Sequence, residues 1–286
     1  KFIPQDFSNI VWAYATSEES HPQLFGKVAE HIIALDDLSS YKPQALSNIA
    51  WAYATAKESH QKLFNKVADA AMKNKNKLNS QEIVNIIWAH SANGLINQDM
   101  FLSFVPVAVA NLSKCNSQDL ANIGWAHAVA NVDAPALFNN DFIDACLEKE
   151  AEFTLEAKSQ LHQWQLWQEE LNSSVSLPLS LQEKCYRAFL STVPRPSALQ
   201  NDVSSSLSSI GLEPKDEVLT KQGYRLDALV EVNGKKIGVE VDGPSHFLGR
   251  KPTGSTILKR RQVTHLEGIP LVSVPYWEWI KLGKDR

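Results

Sequence analysis

The feature of this sequence that most constrains its fold is an internal repeat. Four segments align without gaps on the pattern Asn-Ile-x-Trp-Ala, and their tryptophans are spaced by 39, 37 and 37 residues: Trp12, Trp51, Trp88 and Trp125. An apolar pair follows twelve residues after each tryptophan: Leu24-Phe25, Leu63-Phe64, Met100-Phe101 and Leu137-Phe138. Two registers held together along the chain indicate a genuine repeat architecture.

Each repeat unit has the pattern of two helices. In the second unit Leu46, Ile49 and Tyr53 recur at helical spacing on one face, and the segment after Leu63 repeats that spacing. A helical hairpin of this size cannot bury its apolar face alone, so the units must stack into an α-solenoid over residues 1–172. A degenerate fifth unit through Leu161, Trp164, Trp167 and Leu171 would cap the array. His90 and His127 replace the tyrosine of earlier units and are expected in the core.

A second, polar stripe runs along the first helix of each unit. It combines a Gln, an Asn and the Trp at i, i+4 and i+7, and its asparagines are Asn9, Asn48, Asn85 and Asn122. One interpretation is a ladder of amides and aromatic rings that binds the bases of RNA. The other is packing between repeats, which is the commoner role of Trp in tandem helical repeats.

The charge of the chain divides into two regions. The formal net charge is -4, but residues 1–172 carry -8 with no arginine, whereas residues 173–286 carry +4. Release of counterions by Lys and Arg supplies most sequence-independent affinity for nucleic acid. Phosphate contacts are therefore expected after Arg187, the first arginine. The acidic array should bind RNA weakly or bind a protein instead.

Composition excludes other classes of protein. No stretch approaches the roughly 20 apolar residues of a membrane span, which predicts a chain without membrane partners. The three cysteines, Cys115, Cys146 and Cys185, are odd in number and far apart. That pattern argues against a disulfide scaffold and against a zinc site, and favours a reducing compartment.

The C-terminal region changes from helical to strand periodicity. Residues 173–197 are Ser-rich and predict a linker with one short helix. Residues 198–286 predict a domain of order α-β-β-β-α-β. Its first helix is capped by Ser197, and the later elements are strands 216–220, 224–232 and 236–241, a helix over 256–266, a strand over 271–274 and a final helix over 277–282.

Carboxylates occur inside the predicted strands. Asp227 lies in the second strand, and Glu240 and Asp242 end the third, where they point to one face. Buried carboxylates suit Mg²⁺ or Mn²⁺, and a basic flank that could grip phosphate follows: Arg250, Lys251, Lys259, Arg260 and Arg261. The alternative interpretation is ordinary turn chemistry at Asp242-Gly243-Pro244 beside a solvated helix face.

Two parts of this sequence each resemble a known protein family. Residues 1–150 resemble the octotricopeptide and heptatricopeptide repeats of organellar RNA-processing proteins, whose first helix carries NIxWAxA. Residues 198–284 resemble the RAP domain through GVEVDGPSHF, TGSTILKRRQ and GIPLVSVPYWEW. RAP domains occur in FAST-kinase-like proteins and in plastid and mitochondrial RNA factors. The resemblance implies a small α/β domain with the restriction-endonuclease-like fold of the PD-(D/E)xK class.

The resemblance also implies site residues. Asp227 matches the first metal-binding Asp, and Glu240 matches the acidic residue of the (D/E)xK element, which makes these two the expected ligands of Mg²⁺ or Mn²⁺. Asp242 stands where that element has its lysine, and Lys259 on the following helix is expected to replace it in space. His246 matches the histidine of similar DGxxH nucleases and would act as a general base. Gln200 on the first helix is expected near the same edge.

Three functions follow from these observations. The first is an organellar RNA-binding factor in RNA processing, maturation or stability, acting on rRNA or mRNA. The second is a metal-dependent endoribonuclease in which Asp227, Glu240, Asp242, His246 and Lys259 are catalytic. The third is a protein-binding scaffold. Both resemblances imply the mitochondrion or the plastid.

Overall fold

Helices alternate between two layers through the N-terminal region. The computed structural model describes residues 2–19, 21–191 and 197–283. The helices of this region are α1 (Pro4–Thr16), α2 (Pro22–Ala34), α3 (Pro43–Thr55), α4 (Gln61–Lys73), α5 (Ser80–Ala92), α6 (Gln98–Ala110), α7 (Ser117–Ala130), α8 (Asn140–Glu148), α9 (Leu155–Glu170) and α10 (Leu179–Leu190). The odd-numbered helices pack on one another in one layer, and α2, α4 and α6 form the other. The predicted α-solenoid is therefore confirmed.

The helix starts follow from local sequence. Asn79 caps α5 by accepting a 2.9 Å hydrogen bond from the backbone N–H of Glu82, and the Glu82 carboxylate accepts one from the backbone of Asn79 at 2.8 Å. Asn116 and Asp119 repeat this arrangement at α7. Such reciprocal caps satisfy donors that a helix start leaves unpaired. The repeat boundaries are thus fixed by polar residues and the core by apolar ones.

In the second and third units, the polar aromatic residue hydrogen-bonds to the preceding unit. The Tyr53 hydroxyl donates to the Phe25 carbonyl at 2.7 Å, and Nε2 of His90 lies 3.2 Å from the Phe64 carbonyl. Burial lowers the pKa of His90, and it lowers the pKa of His127 to about 4. Both histidines are neutral core residues at pH 7, as the repeat pattern predicted.

The segment predicted as a linker extends the helical array. Helix α10 packs on α9, and Leu177, Leu181 and Cys185 are buried in the same core as the repeats. Trp164 and Trp167 of α9 are fully buried, and both rings pack on Phe138 of the preceding unit. Residues 192–196, which also belong to the predicted linker, lie outside the described residues.

The C-terminal region is a small α/β domain. Helix α11 (Ala198–Ser209) precedes β1 (Lys215–Leu219), β2 (Arg225–Val232), β3 (Lys235–Asp242), β4 (Phe247–Leu248), β5 (Lys251–Pro252), α12 (Gly254–Glu267), β6 (Leu271–Pro275) and α13 (Tyr276–Leu282). The main sheet has the order β1-β2-β3-β6, with β3 and β6 parallel. The predicted order of elements is confirmed. The short β4–β5 hairpin was not predicted, because two-residue strands leave no periodicity.

The sheet is covered on both faces. Val203 of α11 and Trp279 of α13 pack on one face, whereas Val263 of α12 and Leu166 of α9 pack on the other. Helix α9 of the array therefore covers one face of the sheet together with α12. Among the described residues, no helix combines the length and the apolar character that crossing a membrane requires.

Helix α12 joins the two regions. It packs across α5, α7 and α9, and its Leu258 is buried in the core of the array. The guanidinium of Arg261 donates to the carbonyls of Ala128 and Val129 at the end of α7, at 2.5 and 3.3 Å. The helix thus places the α/β domain against the first-helix layer, where the polar stripe lies.

Candidate nucleic-acid interface and carboxylate pocket

Two carboxylates meet across neighbouring strands. Ala228 of β2 lies opposite Val239 of β3, so the antiparallel register brings Asp227 beside Glu240. The backbone N–H of Val241 donates to Asp227 Oδ2 at 2.7 Å, and the Gln200 side chain donates to Oδ1. The structure places Gln200 of α11 at this edge, as the resemblance implied.

Glu240 is a buried acid with one partner. Its side chain is 3% exposed, and Lys259 Nζ lies 2.5 Å from its Oε2. Burial raises the pKa of Glu240 to about 7; the nearby Lys259 ammonium opposes this shift and the Asp227 carboxylate adds to it. Its Oε1 is buried and accepts no hydrogen bond from the described residues. Lys259 therefore occupies the place that the resemblance implied, and one carboxylate oxygen is left for a donor from outside.

Asp242 has several partners. It is 1% exposed, and its Oδ2 accepts hydrogen bonds from Arg260, at 2.6 Å, and from Ser273. His246 Nδ1 lies 3.2 Å from Oδ1. Burial alone would raise the pKa of Asp242, but the hydrogen bonds from His246 and Ser273 and the charge of Arg260 hold it below its ordinary value. Asp242 is accordingly an anion that orients His246 and Arg260.

Glu240 and Asp242 line a cavity at the junction of the two regions. The cavity has a volume of about 190 Å³, and Gln163 of α9 contributes to its wall together with Tyr224. Gln163 donates to the Tyr224 hydroxyl at 2.9 Å and accepts from Trp125 Nε1 at 3.0 Å. Sequence reasoning did not identify Gln163 or Tyr224, because their partners lie far along the chain. These contacts connect the Trp of the last full repeat to the cavity.

The expected metal site has an incomplete set of donors. Both oxygens of Asp227 already accept hydrogen bonds, and one oxygen of Glu240 is paired with Lys259. No cluster of three His, Cys, Asp or Glu side chains able to hold a metal occurs in residues 2–19, 21–191 and 197–283. As folded, Asp227 and Glu240 do not fit Mg²⁺ or Mn²⁺ without displacement of Gln200 or Lys259.

Most residues of the predicted basic flank form ion pairs within the protein. Lys259 pairs with Glu240, Arg260 with Asp242 and Arg261 with Glu170, so these three cations balance buried carboxylates. The expectation that they form an open phosphate-binding face is corrected by these pairings. Arg250 and Lys251 are exposed. Lys251 donates to the neutral Gln61 side chain at 3.0 Å. Neither Arg250 nor Lys251 forms an ion pair with a carboxylate in the described part of the chain.

An aromatic cluster lies beside these two cations. The ring centroid of Trp277 is 4.4 Å from that of Phe247 and 5.2 Å from that of Tyr276. The Arg250 guanidinium carbon is 6.0 Å from the Trp277 ring centroid. Trp277 lies in the predicted final helix, but only the fold brings it to the β4–β5 hairpin.

The polar stripe of the repeats is accessible over much of its length. Trp12 is 46% exposed, Trp51 and Trp88 are half-buried, and Trp125 is only 7% exposed. Asn9 is exposed and the other three asparagines are half-buried. Gln5 donates to Asn9 at 2.8 Å, Gln118 to Asn122 at 2.9 Å, and Asn85 to Ser47 at 3.4 Å.

Within the described part of the chain, the side chains of Asn9, Asn48, Asn85 and Asn122 donate no hydrogen bond to the backbone of a neighbouring repeat. Between α3 and α5 they line a cleft of about 350 Å³, and Asn48 and Asn85 belong to its walls. The stripe therefore combines partial packing of the tryptophan rings with amide groups that remain accessible.

Comparisons with known proteins find a family match in the C-terminal region. Residues 239–286 match the family model of the RAP domain. A relative, the "RAP domain-containing protein, chloroplastic" of Oryza sativa subsp. japonica, is 40% identical over 89 residues. That match covers 30% of this chain and 13% of the rice protein, so the chain spans a small part of the relative's length.

Proposed function

We propose that this chain, which carries a RAP domain behind a helical repeat array, is an organellar RNA-binding factor acting in RNA processing, maturation or stability, on an rRNA or an mRNA. The observation that carries the proposal is the physical continuity between the polar stripe and the RAP pocket. Trp125 of the stripe contacts Gln163, and Gln163 contacts Tyr224 at the pocket wall. A strand lying along the stripe would be led to the carboxylates.

The two regions contribute different kinds of contact. The amides of Asn48 and Asn85 and the exposed rings of the stripe suit the edges and faces of unpaired bases. Lysines are the only fixed cations of the array, and the net charge of residues 1–172 is negative. Phosphate contact therefore falls to the RAP domain, where Arg250 and Lys251 are exposed.

The plastid is the compartment that we favour over the mitochondrion. The support is the rice relative, which is a chloroplastic protein by name. The repeat resemblance is compatible with either organelle.

RNA crosslinking followed by sequencing tests the proposal and identifies a target, whose affinity is then measured by fluorescence anisotropy. Asn48→Ala and Asn85→Ala should each weaken binding by about 2- to 12-fold, the loss of one net hydrogen bond. Asn65→Ala, an exposed asparagine on α4 outside the stripe, is the matched control and should change nothing. If the chain recovers no RNA, the proposal fails and the protein-binding interpretation of the acidic array takes its place.

A metal-dependent endoribonuclease is the second candidate. It is favoured by the contact between Lys259 and Glu240 and by the unpartnered Oε1 of Glu240, whereas the incomplete donor set ranks it below RNA binding. It predicts Mg²⁺- or Mn²⁺-dependent cleavage that Asp227→Ala and Glu240→Ala abolish and that Glu231→Ala, on the exposed end of β2, retains. Equal cleavage by wild type and all variants would identify a contaminant and remove this candidate.

A further inference from the structure

We propose that Trp277, Arg250 and Lys251 form a binding site for one unpaired nucleotide of single-stranded RNA, with the base stacked on Trp277 and its phosphate held by the two cations. The inference rests on the proposed RNA-binding function and names the part of the molecule that grips the strand. It concerns a surface outside the carboxylate pocket.

The ring of Trp277 packs against two aromatic neighbours. Phe247 is buried and meets Trp277 edge-on at 4.4 Å between centroids, and Tyr276 meets it edge-on at 5.2 Å. Trp277 itself is half-buried, and the Arg250 guanidinium lies over its ring, so a base would stack on the part of the indole that stays accessible. A ring held by two aromatic neighbours is ordered before it binds, which lowers the entropic cost of stacking.

The cations are placed by the β4–β5 hairpin. Gly249 adopts a φ of +64° in the turn, a conformation that other residues seldom adopt, and Arg250 and Lys251 follow it directly. The Arg250 guanidinium carbon lies 6.0 Å from the Trp277 ring centroid, and Lys251 is anchored to Gln61 of the array. A base on the indole would thus have a cation within reach of its phosphate.

Charge makes this the favoured place for phosphate. Residues 243–266 contain no Asp or Glu and five Lys or Arg residues. Three of these five balance buried carboxylates, as described above. Arg250 and Lys251 form no ion pair with the described residues, so their charge is available to a phosphate.

The site adjoins the carboxylate pocket. Asp242 of β3 pairs in register with Pro275 of β6, and both strands end there. His246 and Trp277 follow these two residues within one turn of chain, so they leave the sheet at the same edge. His246 lines the pocket together with Glu240, so a nucleotide stacked on Trp277 would lie next to that pocket.

An unpaired base is the ligand that this geometry fits. Stacking on one open aromatic face requires a base that is splayed out of a helix, and it tolerates any base because each has a π-face. A duplex offers no such face. The arrangement therefore selects single strands without selecting sequence.

The test measures anisotropy of the full chain with three probes: a short labelled oligouridylate, its abasic counterpart, and the oligouridylate annealed to its complement. Trp277→Ala should weaken binding of the oligouridylate by about 5- to 150-fold and leave binding of the abasic probe unchanged, and Trp277→Phe should recover most of the loss. Wild type should bind the duplex more weakly than the single strand.

The cations are tested by salt dependence. Arg250→Gln with Lys251→Gln should reduce the slope of log affinity against log salt by about 1.4, two contacts of a single strand. Lys235→Gln with Lys236→Gln, two exposed lysines at the β2–β3 turn, is the matched control and should leave the slope unchanged.

The outcomes separate the inference from the proposed function. If wild type binds none of the probes or its crosslinked RNA, both fail. If wild type binds RNA but Trp277→Ala weakens the normal and abasic probes equally, or Trp277→Phe behaves as Trp277→Ala, the stacking site is wrong while RNA binding stands. Should Trp277→Ala not fold, the preference of wild type for the normal over the abasic probe, together with the salt slope, decides.

Discussion

The guanidinium of Arg261 and the carboxylate of Glu170 form an ion pair between the α/β domain and the helical array, with 3.1 Å between Nη2 and Oε2. Glu170 is buried at the end of α9, and the same guanidinium caps the end of α7. One side chain thus binds two helices of the array to the α/β domain, and its charge is unavailable to an outside phosphate.

Removing Arg261 should destabilise the whole chain. Arg261→Ala leaves the buried Glu170 without its guanidinium partner and with the His265 imidazole 3.8 Å away. We expect a loss of about 3–5 kcal/mol in the free energy of unfolding, measured with urea. Lys184→Ala is the control because its pair with Glu150 lies at the surface, and it should cost about 0–1 kcal/mol. Equal effects of the two substitutions would show that the inter-domain pair contributes no more than a surface pair.

A methyl group at Gly254 should force the two regions apart. A Cβ built there would lie 1.9 Å from the Ser91 carbonyl oxygen, which is backbone and cannot rotate away. We expect Gly254→Ala to destabilise the chain by about 1–3 kcal/mol or more, measured by thermal unfolding. Gly243→Ala is the control and should be neutral, because φ is -71° there and a Cβ on Gly243 would have no atom within 4 Å. A neutral Gly254→Ala would mean that α12 does not sit this close to α5 in solution.

Acidification should unfold the array through His127. Burial lowers the pKa of His127 to about 4 from 6.5, so between these values the unfolded chain binds the proton that the folded chain refuses. The contribution of His127 to stability should therefore fall as pH drops below 6.5, by about 3 kcal/mol when pH 4 is reached.

Urea titrations between pH 7 and pH 4 measure this loss. His127→Tyr, the residue type found at Tyr53 in the second repeat, should reduce the dependence on pH over this range. The remaining dependence should come from the buried His90, whose pKa burial also lowers. His21→Tyr, at an exposed histidine, is the control and should retain the dependence. An unchanged slope in His127→Tyr would exclude His127 as its source.

Glu240 should act in the opposite direction. Burial raises the pKa of Glu240 to about 7 from 4.5, so the folded chain holds a proton that the unfolded chain has released. Stability from this group is present below pH 4.5 and is lost as pH rises through 7, by roughly 3 kcal/mol at most. Glu240→Gln should remove this decline, whereas Glu231→Gln on the exposed part of β2 should retain it. Persistence of the decline in Glu240→Gln would place the titrating group elsewhere.

The sequence predicted the elements well because their periodicity is local. The helical spacing of Leu46, Ile49 and Tyr53 and the Asn233-Gly234 turn each report structure within a few residues, and helix α12 was located to within two residues at either end. The strand pattern predicted the positions of Asp227 and Glu240 in neighbouring strands. The role of Lys259 beside them came from the family motif, because no local pattern links that helix to the strands.

What escaped prediction depends on contacts between distant parts of the chain. The pairing of Arg261 with Glu170 joins positions 91 residues apart, and neither residue signals it. The basic run therefore looked open to phosphate until its carboxylate partners were known. Gln163 at the pocket was invisible for the same reason, and Trp277 gained its meaning only from the hairpin beside it.

The docking of α12 also bears on the order in which the chain can mature during translation. Since α10 ends at Leu190 and α12 begins at Gly254, the repeats leave the ribosome well before α12. Leu258 of α12 fills an apolar site between α5, α7 and α9. Until α12 is synthesised, that apolar seat and the buried Glu170 stay uncovered. A nascent array of this kind would need a chaperone or rapid elongation to reach its final partner unaggregated.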